Sequence, residues 1–140
     1  MGSSYSIDGR DTNTANTTIL GMTGGATVRP RIHYINVGSE ATPAEMAFDA
    51  VIQRSTAAGT STAVTPTKLD PLTVNAATSV AGEAHSVEPT YTANDIPLDI
   101  PGLNQRATFH WYAQPYREII IASVASNWAG FRMITDNGTR

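Results

Sequence analysis

The chain contains no cysteine. That removes disulfides, thiolate zinc sites and thiol nucleophiles together, and it leans toward assembly in a reducing compartment. Lysine occurs once, at Lys68, and charged residues make up only 15% of the 140, against roughly 25% in ordinary soluble domains. Nine basic and twelve acidic side chains leave a formal charge of −3. No basic tail or stripe is present to displace counterions from nucleic acid or to hold an anionic bilayer. No apolar run approaches the ~18 residues of a membrane helix, and Met1 to Ser6 lack the charged and apolar regions of a signal peptide. Neither nucleic acid nor a membrane is expected as a partner.

Catalytic patterns are equally scarce. His33, His85 and His110 lie far apart, without the short spacing of a metal-binding face. No G-x-S-x-G turn occurs; Glu83, His85 and Glu88 cluster only along the chain, whereas a triad needs adjacency in space. Asp95 and Asp99 form the best local carboxylate pair, but Pro97 and Pro101 make that stretch read as a rigid connection with solvated acids. Gly24-Gly25 lacks the lysine of a phosphate loop. No catalytic residue, cofactor or metal ion is expected, and the chain reads as a non-enzyme.

What is present is a succession of short extended segments. A hydrophobic fraction of 41% suffices for one core and hardly for two. Arg31 to Val37 is strand-like. Met46 to Gln53 alternates with period two, and this reading competes with a helix capped at Thr42-Pro43; the Thr-rich surroundings favour the strand. Thr56 to Thr60 reads as a turn, Ser61 to Thr67 as a short strand, and Leu69 to Glu83 as a small-residue loop too poor in large apolar groups for the core. Glu88 to Ala93 is extended. Asp95 to Gly102, with two prolines, does not suit a central strand. In Ala107 to Tyr112, Phe109 and Trp111 share one face while Thr108, His110 and Tyr112 share the other. Ile119 to Ala122 suits a strand covered on both sides, and Gly130 to Thr135 is the last strand. Asp136-Asn137-Gly138 is a hairpin signal with no second strand after it in these 140 residues.

Short strands at regular spacing, without a convincing helix or a repeat, imply an all-β fold: an antiparallel β-sandwich of jelly-roll-like type. Residues 1–28 read as an extended polar N-terminal arm anchored by Ile19 and Leu20, and 29–140 as the β-sandwich domain. Removal of residues 1–25 is expected to leave that domain folded.

Several phrases point further. Arg54-Ser55-Thr56-Ala57-Ala58-Gly59-Thr60, Ala63-Val64-Thr65-Pro66 with Leu69-Asp70-Pro71, Glu88-Pro89-Thr90-Tyr91-Thr92-Ala93 and Leu103-Asn104-Gln105-Arg106-Ala107-Thr108 together resemble small β-proteins of tailed bacteriophages and prophages. The resemblance spans about Arg31 to Arg132. It implies a virion structural protein, first of all a capsid decoration (cement) protein. Such a protein would bind the outer surface of the head as a homotrimer and have the major capsid protein as its partner. The expected contacts are the arm around Ile19 and Leu20, the loop from Leu69 to Glu83 and the stretch from Asp95 to Gly102. Arg29, Arg31 and Arg106 are the expected charge partners. The alternative is a tail or head-fibre-type receptor- or carbohydrate-binding module, with Trp111, Tyr112, Tyr116 and Trp128 as stacking surfaces and Trp128, in a turn, the most exposed.

Overall fold

A computed structural model describes residues 3–11, 16–39, 42–43, 47–72 and 77–134. The described residues form strands and connections, with no helix. In chain order the strands are β1 (Tyr5–Ser6), β2 (Thr18–Thr23), β3 (Arg31–Ile32), β4 (Tyr34–Val37), β5 (Ala47–Ala57), β6 (Thr60–Val64), β7 (Thr67–Lys68), β8 (Ala81–Val87), β9 (Thr90–Tyr91), β10 (Leu98–Asn104), β11 (Phe109–Tyr112), β12 (Ile119–Ile120) and β13 (Trp128–Ile134). Every pairing is antiparallel.

The main sheet has the order β10-β5-β13-β2-β8-β6, with β9 also paired to β5. Its spine is β5, an eleven-residue strand in which the expected strand prevails over the helix. Asp49 through Gln53 are all buried, a pattern that requires cover on both faces of the sheet. Ala50 and Ile52 look toward the apolar core with Ile100, Leu103, Ala129, Phe131 and Met133. The intervening Val51, Gln53 and Ser55 lie on the other face, where polar groups are also buried.

That second face is enclosed because the sheet curls. β5 and β6 are joined by only Ala58-Gly59, yet they do not pair with each other; β9 lies beside β5 and β8 beside β6. The chain from β5 to β6 therefore acts as one long strand bent at Gly59. Gly59 has φ +70°, and a Cβ there would stand 2.2 Å from the Val87 carbonyl oxygen. Only glycine combines that backbone with so close an approach.

A ribbon packs over the core. Its first strand is β3 and β4 in succession; β11 pairs with β4 and β12 with β3. Residues 113–118 form a protruding loop between the two pairings, tied down where the Ala113 amide donates to the His33 carbonyl (2.8 Å). Ile32, Ile35, Val37, Phe109 and Trp111 on the ribbon's inner face pack against the core. His110 and Tyr112 point outward. This is the alternation read from the sequence.

Three expectations are corrected. The arm does not extend over Ile19 and Leu20: these belong to β2, which is paired to β13 on one side and β8 on the other, in the interior of the main sheet. Upstream, β1 pairs with β7, the Leu69 amide donates to the Ser4 carbonyl, and Gly9 lies against the Leu20 side chain. Second, the stretch from Leu69 to Glu83 is not loop throughout, because β8 begins at Ala81, which is 1% exposed. Gly82 in that strand has to be small because Trp128 and Ser61 press on it. Third, Asp95 to Gly102 is more than a connection: from Leu98 it forms β10, a strand whose one proline, Pro101, is tolerated because it lies at the sheet edge. The turn signal Asp136-Asn137-Gly138 falls outside the described residues.

Candidate functional site

The sequence-predicted residues do not converge. Ile19 is partly buried against the core, and Leu20 is half-buried in β2 beneath Gly9. Arg29 and Arg31 are exposed at one end of the ribbon; Arg31 stands 3.8 Å from Glu118. Arg106 is exposed in the turn before β11, at the opposite end, and its Nε donates to the Pro43 carbonyl (3.4 Å). The six-residue step from Arg31 to Val37 puts roughly 20 Å of strand between the two ends.

Trp128 is the clearest departure. It is 5% exposed, at the start of β13 rather than in a turn, and its indole lies on Gly21 and Gly82. Those glycines align with Gly130 across three neighbouring strands, through the pairs Gly130–Gly21 and Gly21–Gly82. The missing side chains of Gly21 and Gly82 leave a trough that the indole fills, and that of Gly130 leaves room for the Tyr91 hydroxyl. Trp128 cannot stack on a ligand. Trp111 likewise packs against the core.

Beside Trp128 the curl holds a partly buried polar network. The Glu88 carboxylate accepts hydrogen bonds from the Thr18 amide (3.1 Å to each oxygen) and from the Thr18 hydroxyl. That hydroxyl in turn meets the Tyr91 phenol. The Arg132 guanidinium lies 4.8 Å from the Tyr91 ring centroid and donates to Gln53 Oε1 (3.1 Å). Burial pushes the Tyr91 phenol up to about 12, against the opposing effects of its Thr18 hydrogen bond and the Arg132 charge. This network closes the curl, with Arg132 Nε left buried and without a hydrogen-bond partner among the described residues. Glu83, whose carboxylate accepts from the Arg10 amide (2.7 Å), does not join Glu88 and His85 in a triad. Asp95 is paired with Arg54 at 2.7 Å instead of with Asp99.

The exposed, organised surface lies on the outer face of the ribbon. Tyr34 and Tyr112, directly opposite on β4 and β11, stack with centroids 4.6 Å apart; His110 stacks on Tyr34 at 6.1 Å. The Tyr34 hydroxyl and His110 Nδ1 are hydrogen-bonded at 2.8 Å, with the phenol as donor in the tautomer that carries its proton on Nε2. Tyr112 is 70% exposed, and Tyr116, at the tip of the 113–118 loop, is 95% exposed. Tyr116 has φ +66°, and its amide donates to Glu118 Oε1 (3.3 Å). Backbone amide hydrogen bonds, first its own and then that of Tyr116, hold the Glu118 carboxyl below its ordinary value against burial, with Arg31 and His33 adding to the effect. Tyr112 and Tyr116 were legible as candidates; Tyr34 and His110 were missed, though the period-two pattern puts His110 on the outer face beside Tyr112.

A cavity of about 150 Å³ lies between Arg54, Ser55, Thr92, Asp95, Asn127 and Trp128, beside a wider cleft that Arg29 and Glu118 also line. The Arg54 guanidinium is spent on Asp95 and the Ile120 carbonyl. Among the described residues no group of three or more His, Asp or Glu side chains is placed to hold a metal ion. The arrangement supplies a stacked, solvent-exposed aromatic face. Comparison with protein-family models, with curated proteins and with solved structures returns no match for this chain.

Proposed function

We propose that this chain is a bacteriophage virion structural protein of the capsid decoration (cement) type, which binds the outer surface of the head as an oligomer and stabilises the shell. Its partners are the major capsid protein and further copies of itself, and it acts in the virion without an enzymatic step. The fold then reads as a jelly-roll-like sandwich, with the curled sheet as one layer and the ribbon as the other, and the arm shortens to the segment before β2. The observation that supports this reading is the outer face of the ribbon. Tyr34, His110 and Tyr112 stack there in the open, while Phe109 and Trp111 anchor the same strand in the core. A contact face held rigid beforehand loses little side-chain entropy on binding, and aromatic residues are the usual anchors of protein interfaces.

The test is copy number in purified particles, measured against the major capsid protein. A ratio near one-to-one is expected, and absence from particles would overturn the reading. A handful of copies favours the second reading, a tail or head-fibre-type receptor- or carbohydrate-binding module. The 95% exposure of Tyr116 beside Tyr112 favours that alternative, since a sugar ring stacks on open aromatic faces. Glycan-array binding lost on Tyr112→Ala would support it.

A further inference from the structure

The path of the main sheet ends in two strands, β10 and β6, and the two edges differ. The β10 edge is guarded. Pro101 brings no amide hydrogen into it, the register slips between Ile100 and Leu103, and Gly102, at φ +64°, donates its amide to Asp49 Oδ1 (2.7 Å). A proline and a bulge in one seven-residue strand interrupt any ladder an incoming strand could form. β6 has no proline, and where its pairing with β8 slips, between Thr60 and Thr62, the extra residues lie on β8 and not on the β6 edge. Thr60-Ser61-Thr62-Ala63-Val64 contains no proline, glycine or charge, and Thr60, Thr62 and Ala63 are exposed. Among the described residues β8 is its strand partner on one side, and no strand pairs with the other.

We infer that the open edge of β6 pairs antiparallel with β6 of a second copy, forming a twofold dimer through which the main sheet runs continuously. An edge strand with alternate backbone groups pointing outward is a template on which another strand can pair. Two arguments select this chain itself. Self-pairing of an uncharged, Thr-rich strand sets no like charges opposite each other. Head-to-tail pairing of β6 with β10 would propagate into an open filament; the guarded β10 edge blocks that route and leaves the closed, like-with-like contact. A twofold axis normal to the sheet preserves its faces, so one residue must oppose its own counterpart. With all five residues paired, that residue is Thr62. This deepens the assembly reading and rests on it only in making self-association part of the function. The twofold symmetry departs from the threefold one implied by the resemblance.

The absence of cysteine supplies the test. The full chain at about 100 μM, a range suited to a small interface, is expected to show twice the protomer mass by native mass spectrometry and light scattering. Thr62→Cys is expected to oxidise to a covalent dimer, since directly opposed Cα atoms stand ~4.5–5.5 Å apart, within disulfide reach. Asn104→Cys on the guarded β10 edge should stay reduced. Thr62→Lys places two like charges face to face across the axis and should return the mass to that of one protomer. Within the protomer the new lysine would oppose Glu83, the β8 partner of Thr62, so its thermal unfolding should stay close to that of the parent. A wild-type monomer at that concentration overturns the inference. So does any oligomer, trimeric or other, in which Thr62→Cys stays free and Thr62→Lys leaves the mass unchanged. All of these readings use the purified chain, so failure here is separable from failure of the particle measurement.

Discussion

The indole of Trp128 lies so close to Gly21 that a Cβ on the glycine would stand 2.6 Å from the ring carbon Cε3. The two residues are therefore one packing unit: the largest side chain on that face needs the smallest residue beneath it. Gly21→Ala forces the ring off the sheet and is expected to cost ~1–3 kcal/mol as an overpacked site. Trp128→Ala empties the trough and is expected to cost ~3–5 kcal/mol. Urea unfolding followed by circular dichroism measures both. A Trp128→Ala protein as stable as the parent would show that the trough is not filled this way.

Tyr91 gives the fold an alkaline limit. An unfolded tyrosine ionises near 10 and the buried Tyr91 at about 12. Between those values the unfolded chain has released a proton that the folded chain keeps. The stability from this group is thus complete below pH 10 and falls as pH rises toward 12, by roughly 3 kcal/mol in all. Tyr91→Phe loses the hydrogen-bonding contact with Thr18, at about 1 kcal/mol near neutrality, yet removes this alkaline decline. Stability profiles of the two proteins from pH 7 to 12 are expected to converge or cross, and parallel profiles would contradict the assignment.

Truncation separates the start of the chain from β2. Removing residues 1–11 takes away the β1–β7 pairing and the contacts of Gly9 and Arg10, and the main sheet is expected to remain folded. Removing residues 1–25 withdraws β2 from between β13 and β8. That exposes two interior strand edges and removes the Thr18–Glu88 contacts, and the product is expected to be unfolded by near-ultraviolet circular dichroism and hydrogen exchange.

Tyr112→Ala should separate binding from folding. The ring is 70% exposed and, among the described residues, stacks on Tyr34 alone, so thermal stability should change by less than about 1 kcal/mol. Binding to purified heads, by cosedimentation, is expected to fall at least tenfold, the size of effect that loss of an aromatic anchor of about 1.4 kcal/mol or more produces. Unchanged binding would move the contact face away from the ribbon.

Much of the local structure could be read before the fold was known. Alternation in Phe109-His110-Trp111-Tyr112 set Phe109 and Trp111 inward and the other two outward, because a strand's period is two whatever it pairs with. The prolines of 97–101 excluded a central strand, and β10 is an edge strand. Trp128 was misread because Ser126-Asn127 before it and Ala129-Gly130 after it look like a turn. The two glycines that seat its indole, Gly21 and Gly82, lie on two other strands, a relation between registers that no local window contains. The same holds for Tyr34, whose partners His110 and Tyr112 are more than 70 residues away along the chain.

The sequence by itself determined the class of the fold: backbone preference and side-chain alternation are local, and short Thr-rich segments broken by proline and glycine cannot sustain helices. It also determined that no thiol chemistry is possible, since composition is independent of folding. The tertiary structure alone decided that Thr18–Thr23 is an interior strand rather than an arm, that Trp128 is buried while Tyr34 is open, and that β6 rather than β10 presents the unguarded edge. Each of these depends on which strands become neighbours, and pairing between distant segments is settled by the packing of the whole sheet.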